Sequence, residues 1–231
     1  MKPFADLLER LVLTPSRNRK IELLVHYFRD RPDPDRGLGL AAITRDLDIA
    51  SVKPALIREL AAEIADPELF RLSYDFVGDL AETVALIWPG EGDAAEPSLA
   101  AVVQELNAAS RSRAPAVLRE LLDTLGPSER LALIKLATGG LRIGVSARLA
   151  KQALAQFGDV EIGEIEEIWH ALEPPYTELF AWLEGRAGKP VSLTLAPFRP
   201  VMLSHPLEER DHGQIAPETF AAEWKWDGIR V

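Results

Sequence analysis

Lys225-Trp226-Asp227-Gly228-Ile229-Arg230 sets an amine, a carboxylate, a glycine and a guanidinium close together in one short run. A lysine amine that is deprotonated at the moment of attack can bond to an α-phosphorus and form a covalent phosphoramidate. Nearby cations and partial burial depress its pKa in that direction. Gly228 admits close backbone approach to a ligand because it has no Cβ, and Arg230 offers a planar fork for phosphate or ribose oxygens. The run reads as a candidate nucleotide-handling site.

Its residues need an element to align them. PETFAAEWKWDGIRV alternates polar and aromatic positions, as a strand running into a turn does. On a strand, Glu223, Lys225 and Asp227 share one face while Trp224 and Trp226 pack on the other. The alternative is a surface strand whose Lys225, Asp227 and Glu223 make ordinary salt bridges.

Upstream, the periodicity is helical as far as about Arg186. Ile21, Leu24 and Phe28 form one stripe, Leu99, Val102, Val103 and Leu106 a second, and Ile162, Ile165, Ile168, Trp169 and Leu172 a third. Further helices are expected near 4–13, 39–47, 53–65, 78–88, 114–125, 128–138, 147–157 and 176–186. Thr14-Pro15 is expected to start a helix, with threonine as cap and proline in the first turn. Gly126-Pro127, Gly139-Gly140, Gly158 and Pro174-Pro175 fall where helices should stop, and the acidic stretch 89–97 reads as an exposed loop. No fixed-period repeat is present, so a solenoid is not expected. After Gly188 the character changes. Five prolines fall between Pro190 and Pro217, and Val191, Leu193 and Leu195 alternate as in a strand. The expected organisation is a mainly α domain over 1–188, a linker over 189–216, and the first strand of a second domain over 217–231.

Length and composition fit this plan. With 231 residues, 47% hydrophobic and 27% charged, the chain can bury a substantial core. The absence of cysteine excludes disulfides, thiolate metal sites and cysteine nucleophiles, and it fits a reducing compartment. No apolar stretch approaches the ~18 residues of a membrane span. Asp6 and Glu9 come too early for a secretory signal, so a cytoplasmic location with no membrane association is expected. The net charge of −10 argues at first against a nucleic-acid partner, but binding responds to local field. Between Glu105 and Lys151 eight basic residues face four acidic ones, while Gln156 to Gly188 holds eight acids and a single arginine. Such segregation allows a basic face on an acidic protein; ordinary solvated helix faces are the alternative.

KWDGIR resembles the K-x-D-G-x-R motif of covalent nucleotidyltransferases: ATP-dependent DNA ligases, RNA ligases and mRNA capping enzymes. Four further segments narrow the choice. Arg17-Asn18-Arg19-Lys20-Ile21, Gly78-Asp79-Leu80-Ala81-Glu82, Leu141-Arg142-Ile143-Gly144-Val145 and Pro200-Val201-Met202-Leu203 are similar to the N-terminal DNA-binding domain and linker of ATP-dependent DNA ligases, bacterial ones in particular. The resemblance spans essentially the whole chain. It implies an irregular all-helical DNA-binding domain followed by a linker and the first strands of an ATP-grasp-like α+β nucleotidyltransferase domain. It also implies a three-step reaction, in which lysine takes AMP from ATP, AMP passes to the 5′-phosphate at a nick, and the 3′-hydroxyl displaces it. Lys225 is then the expected nucleophile and Asp227 its orienting or metal-assisting partner. Glu223, Lys225, Gly228 and Arg230 would hold the nucleotide, with Mg²⁺ neutralising the phosphates. The later motifs of that family are missing from this sequence. The 231-residue chain is therefore expected to bind nicked duplex DNA, as a monomer, without adenylylating or ligating by itself.

The residues expected to grip DNA follow from charge and glycine placement. Thr138 to Ser146 is a Gly-rich inter-helix loop in which Gly139, Gly140 and Gly144 permit close approach, Arg142 adds charge and Ser146 can cap the next helix. Helix termination is the alternative role of those glycines. Arg17, Arg19 and Lys20 lie in the first turns of a helix, where cations oppose the dipole unless a phosphate is near. Arg111 and Arg113 flank another helix start. His26, His170, His205 and His212 show no ligand spacing, so no metal site is expected within the chain. Trp169, Phe180 and Trp182 read as core and Glu161 to Glu167 as a solvated face. An RNA ligase or capping-type enzyme, or a helical protein-interaction module with a chance motif, are the alternatives.

Overall fold

In the computed structural model, residues 1–90, 92, 97–191, 208, 209, 218 and 219 are described. The chain divides into two compact units, Met1–Phe198 and Arg199–Val231. Among the described residues all regular structure is helical. The first unit runs α1 (Lys2–Leu13), α2 (Arg17–Asp30), α3 (Asp35–Thr44), α4 (Pro54–Ile64), α5 (Pro67–Val77), α6 (Leu80–Ile87), α7 (Leu99–Ala108), α8 (Ala114–Thr124), α9 (Pro127–Ala137), α10 (Ala147–Gly158) and α11 (Ile162–Ile168). A 3-10 turn (Trp169–Ala171) and α12 (Thr177–Leu183) close it. Apart from residues 208, 209, 218 and 219, the expected linker and strand beyond 191 lie outside the described residues.

The stripes fold inward as the spacing predicts. Phe4, Leu11, Leu24, Phe28, Leu106, Leu118, Leu122 and Phe180 are all completely buried, and each contributes about 1.5–3 kcal/mol by leaving water. Phe28, Phe157 and Phe180 meet edge to face, with centroids 5.5–6.3 Å apart. That cluster joins α2, α10 and α12. Trp169 and Trp182 are only partly buried against the core. α10 lies along α2, while α9 packs on both α1 and α6.

Two buried arginines tie loops to this frame. Arg36 holds the Asp33 carboxylate through two bonds of 2.8 Å and Glu184 through bonds of 2.6 and 3.0 Å, with its guanidinium carbon 4.4 Å from the Phe180 ring centroid. Arg130, wholly buried, donates to the carbonyls of Leu122, Trp88, Pro89 and Gly90 and so fastens the segment after α6 to α8.

Three local expectations change. Thr14-Pro15 does not start α2. The Thr14 hydroxyl donates to Arg10 O at 2.7 Å and closes α1, Pro15 lies between helices, and Ser16 caps α2 by accepting from the Arg19 amide. α3 runs from Asp35 to Thr44, starting ahead of the helix expected near 39–47, and it takes Gly37 and Gly39 into its first turns as packing surfaces. A Cβ on Gly37 would stand 1.6 Å from Pro175 O, and one on Gly39 would stand 2.6 Å from the Tyr27 hydroxyl. α5 has no counterpart among the expected helices, and none of its residues is fully buried. No helix among the described residues is long and apolar enough to cross a membrane.

Candidate nucleic-acid interface

The turn from α9 into α10 begins as a helix ending. Gly139, in the left-handed region at φ 66°, lets its own amide reach Leu136 O at 3.3 Å and the Gly140 amide reach Lys135 O at 2.9 Å. This paired closure satisfies the last carbonyls of α9. Leu141 and Ile143 then plug into the core while Arg142 between them faces solvent. Ser146 caps α10, its hydroxyl accepting from the Leu149 amide at 3.2 Å. The amides that open α10 have no intrahelical acceptor, as at any helix start, and present partial positive charge.

Lys20 fixes this loop against α2. Only 8% exposed, its ammonium donates to Ile143 O at 2.8 Å and Gly144 O at 3.1 Å. Gly144 takes φ 62°, and a Cβ there would stand 2.5 Å from the Lys20 nitrogen. Left-handed backbone and close ammonium approach both require glycine at this position. On the facing side, the Arg17 guanidinium donates to Gln152 Oε1 on α10.

Together these parts make an open cleft of about 680 Å³ where the N-termini of α2 and α10 meet. Among the described residues, five cations line it, Arg17, Lys20, Arg45, Arg142 and Arg148, and no carboxylate does. Arg45, Arg142 and Arg148 are exposed, and among the described residues they make no salt bridge. On a chain of net charge −10, carboxylates are abundant, yet none of the described ones lines this cleft. Cations gathered with helix N-termini and left unneutralised make a receptor for anions, phosphate above all.

Of the residues singled out from sequence, Arg17, Lys20, Arg142, Gly144 and Ser146 converge here. Gly139 and Gly140 do not line the cleft; they end α9. Arg19 points elsewhere and pairs with Glu22. Arg111 and Arg113 sit on the exposed α7–α8 connection, apart from the cleft lining. The basic surplus between Glu105 and Lys151 does not form a single face. Arg130 is buried, Arg119 pairs with Glu63, Lys135 pairs with Asp79 and Glu82, and the Lys151 amine lies 4.7 Å from the centre of the Trp169 ring. Burial lowers the Lys151 pKa, with Glu166 and Asp46 opposing the shift. Only Arg142 and Arg148 of that stretch reach the cleft.

Sequence reasoning did not single out Arg45, Arg148 or Gln152 as site residues. Arg148 carried a usable signal, a cation in the first turn of a helix, the same argument applied to Arg17. Arg45 carried none: it reaches the cleft as the left-handed residue ending α3, and α3 packs on α10. Its neighbour Asp46 is held by Tyr176 at 2.6 Å and Thr44 at 2.7 Å. Glu223, Lys225, Asp227, Gly228 and Arg230 lie outside the described residues.

A cation-lined cleft between two helix starts has the chemistry to hold phosphate groups such as those of a nucleic-acid backbone. Residues 1–155 match the family model described as DNA ligase N terminus, and the chain belongs to that family. It is also 33% identical over 120 residues to a DNA ligase of Methanosphaerula palustris; the match covers 49% of this chain and 21% of that protein. The chain thus spans about a fifth of the length of the ligase it matches. Three of the segments that carried the resemblance have structural parts in the first unit, while Pro200-Val201-Met202-Leu203 and the Lys225 motif lie outside the described residues. Arg17 to Ile21 opens α2, Gly78 in left-handed conformation and Asp79 as cap join α5 to α6, and Leu141 to Val145 walls the cleft.

Proposed function

We propose that residues 1–191 are the DNA-gripping part of a DNA ligase, and that the cleft between α2 and α10 takes backbone phosphates of nicked duplex DNA. The observation that supports this best is the set of three exposed arginines, without ion-pair partners or lining carboxylates among the described residues, at two helix N-termini. Phosphate contacts carry no base information, which suits a protein that must act at nicks in any sequence. The wider reading is an enzyme that uses ATP and Mg²⁺, with Lys225 as the residue that accepts AMP, sealing nicks in repair, replication or recombination. It rests on the K-x-D-G-x-R motif and the family alone, and no step is assigned to the described residues.

The direct test is fluorescence anisotropy of a labelled nicked duplex titrated with the chain, using Arg142→Ala and Arg148→Ala. Each substitution is expected to weaken binding and to flatten the slope of log affinity against log salt by about 1. Binding that ignores salt, or that both substitutions leave untouched, would falsify the reading. A nicked RNA duplex in the same assay separates a DNA ligase from an RNA-joining enzyme: tighter binding to RNA would favour the latter.

A further inference from the structure

α5 is apolar on two sides. One side packs inward: Phe70 lies against the core, and Tyr74 stacks on it with ring centroids 6.4 Å apart and planes 13° from parallel. The other side carries Leu69, Leu72 and Phe76, exposed to 64%, 49% and 92%. Their i, i+3, i+7 spacing puts them on one stripe. A large phenyl ring left open to water beside two half-exposed leucines is unusual on a helix whose other face is already packed.

The stripe has a charged border of one sign. By helical spacing Glu68 and Asp75, seven residues apart, run along one edge of it. Arg71 falls one row farther from the stripe and pairs back to Asp75 at 3.0 Å. Between positions 66 and 79 the carboxylates are Asp66, Glu68, Asp75 and Asp79, against the single cation Arg71. An acidic edge of this kind repels anionic lipid and nucleic acid and favours a cationic neighbour. A ridge at i, i+3, i+7 is also the natural complement of a second helix.

We propose that this face of α5 is a docking surface for a partner protein's amphipathic helix, of about three turns, with leucine-type residues on its seam and lysine or arginine beside them. Phe76 is the anchor, Leu69 and Leu72 complete the seam, and Glu68 and Asp75 meet the cations. The proposal stands apart from the DNA cleft, which no α5 residue lines.

The test uses the 231-residue chain, labelled with ¹⁵N, and an 18-residue synthetic peptide of leucine and lysine at helical spacing. Binding is expected to shift the amide resonances of α5. Leu72→Ser and Phe76→Ser, both at exposed positions that the core does not use, should weaken it at least tenfold. A peptide with glutamate in place of each lysine should fail to bind. Three outcomes overturn the proposal: no binding, binding that neither serine variant weakens, or equal binding of the glutamate peptide. Sedimentation decides a fourth, since a dimer of the chain that Phe76→Ser dissociates would assign the face to a second copy instead.

Discussion

Lys20 shows how misleading a residue's type can be without its surroundings. A cation in the first turn of α2 looks like a phosphate ligand, and Lys20 does line the cleft. Its ammonium is nevertheless committed to the Ile143 and Gly144 carbonyls, so its chief part is to hold the loop that presents Arg142. Lys20→Met keeps the stem and deletes the tether. It is expected to destabilise the fold by about 1.5–3 kcal/mol, the range for hydrogen bonds to a charged group. Gly144→Ala strains the left-handed backbone, costing about 1–2 kcal/mol, and drives its Cβ against the same ammonium. Urea unfolding of both single variants and the double variant measures the coupling. The double variant should lose less than the two singles summed, because the Cβ clash disappears with the ammonium. Strict additivity would show that the tether and the glycine act independently.

At the scale of elements, α1, α2 and α10 were legible because each buries a clean apolar stripe. α5 was not, because its apolar residues divide between core and solvent and leave no single inward stripe. The break after Leu13 was legible, but its cap was misassigned. Thr14 and Ser16 are both capping types, and only the three-dimensional path shows that threonine closes α1 while serine opens α2. Glycine at 37 and 39 is required by close packing against Pro175 and Tyr27, contacts that no local pattern in the sequence announces. The join of α12 to the α2–α3 turn depends on Glu184, whose side chain the sequence could not connect to Arg36. Hydrogen bonds from Arg36, helped by Arg186 and opposed by burial, lower the Glu184 pKa to about 2 from an ordinary 4.5. A carboxyl depressed in the fold stabilises fully above its unfolded pKa and loses that contribution as pH falls towards its folded value. Thermal stability should therefore drop between about pH 4.5 and pH 2. Glu184→Gln should be less stable at neutral pH and show a flatter profile across that window. Circular-dichroism melts at half-unit pH steps would measure it, and identical profiles would dismiss the linkage.

For the whole molecule, charge along the chain was a poor guide to charge in space. The basic stretch 105–151 scatters its cations into the core and onto separate acids, and the cleft draws Arg17, Lys20 and Arg45 from elsewhere. Family membership was legible from a few short segments, where backbone conformation and close packing restrict the residue, as at Gly144. The expected nucleotide site at Lys225 lies outside the described residues and remains a matter of motif. Four exposed arginines, Arg17, Arg45, Arg142 and Arg148, bound the number of phosphates the cleft can neutralise. Raising salt from about 50 to 200 mM should then weaken DNA binding roughly a hundredfold. Replacing the duplex sequence at constant length should alter affinity by no more than about threefold. A larger dependence on sequence than on salt, in paired anisotropy titrations, would point to base-edge readout.

The Lys20 tether has one more consequence. With Leu141 and Ile143 rooted in the core and the Ile143 and Gly144 carbonyls already bonded to Lys20, the wall that carries Arg142 is in place before any polyanion arrives. Docking then freezes little backbone, and the entropy that a floppy loop would forfeit on capture has already been given up during folding. On the proposed reading, such a receptor would capture and release backbone phosphates without first having to order its own wall.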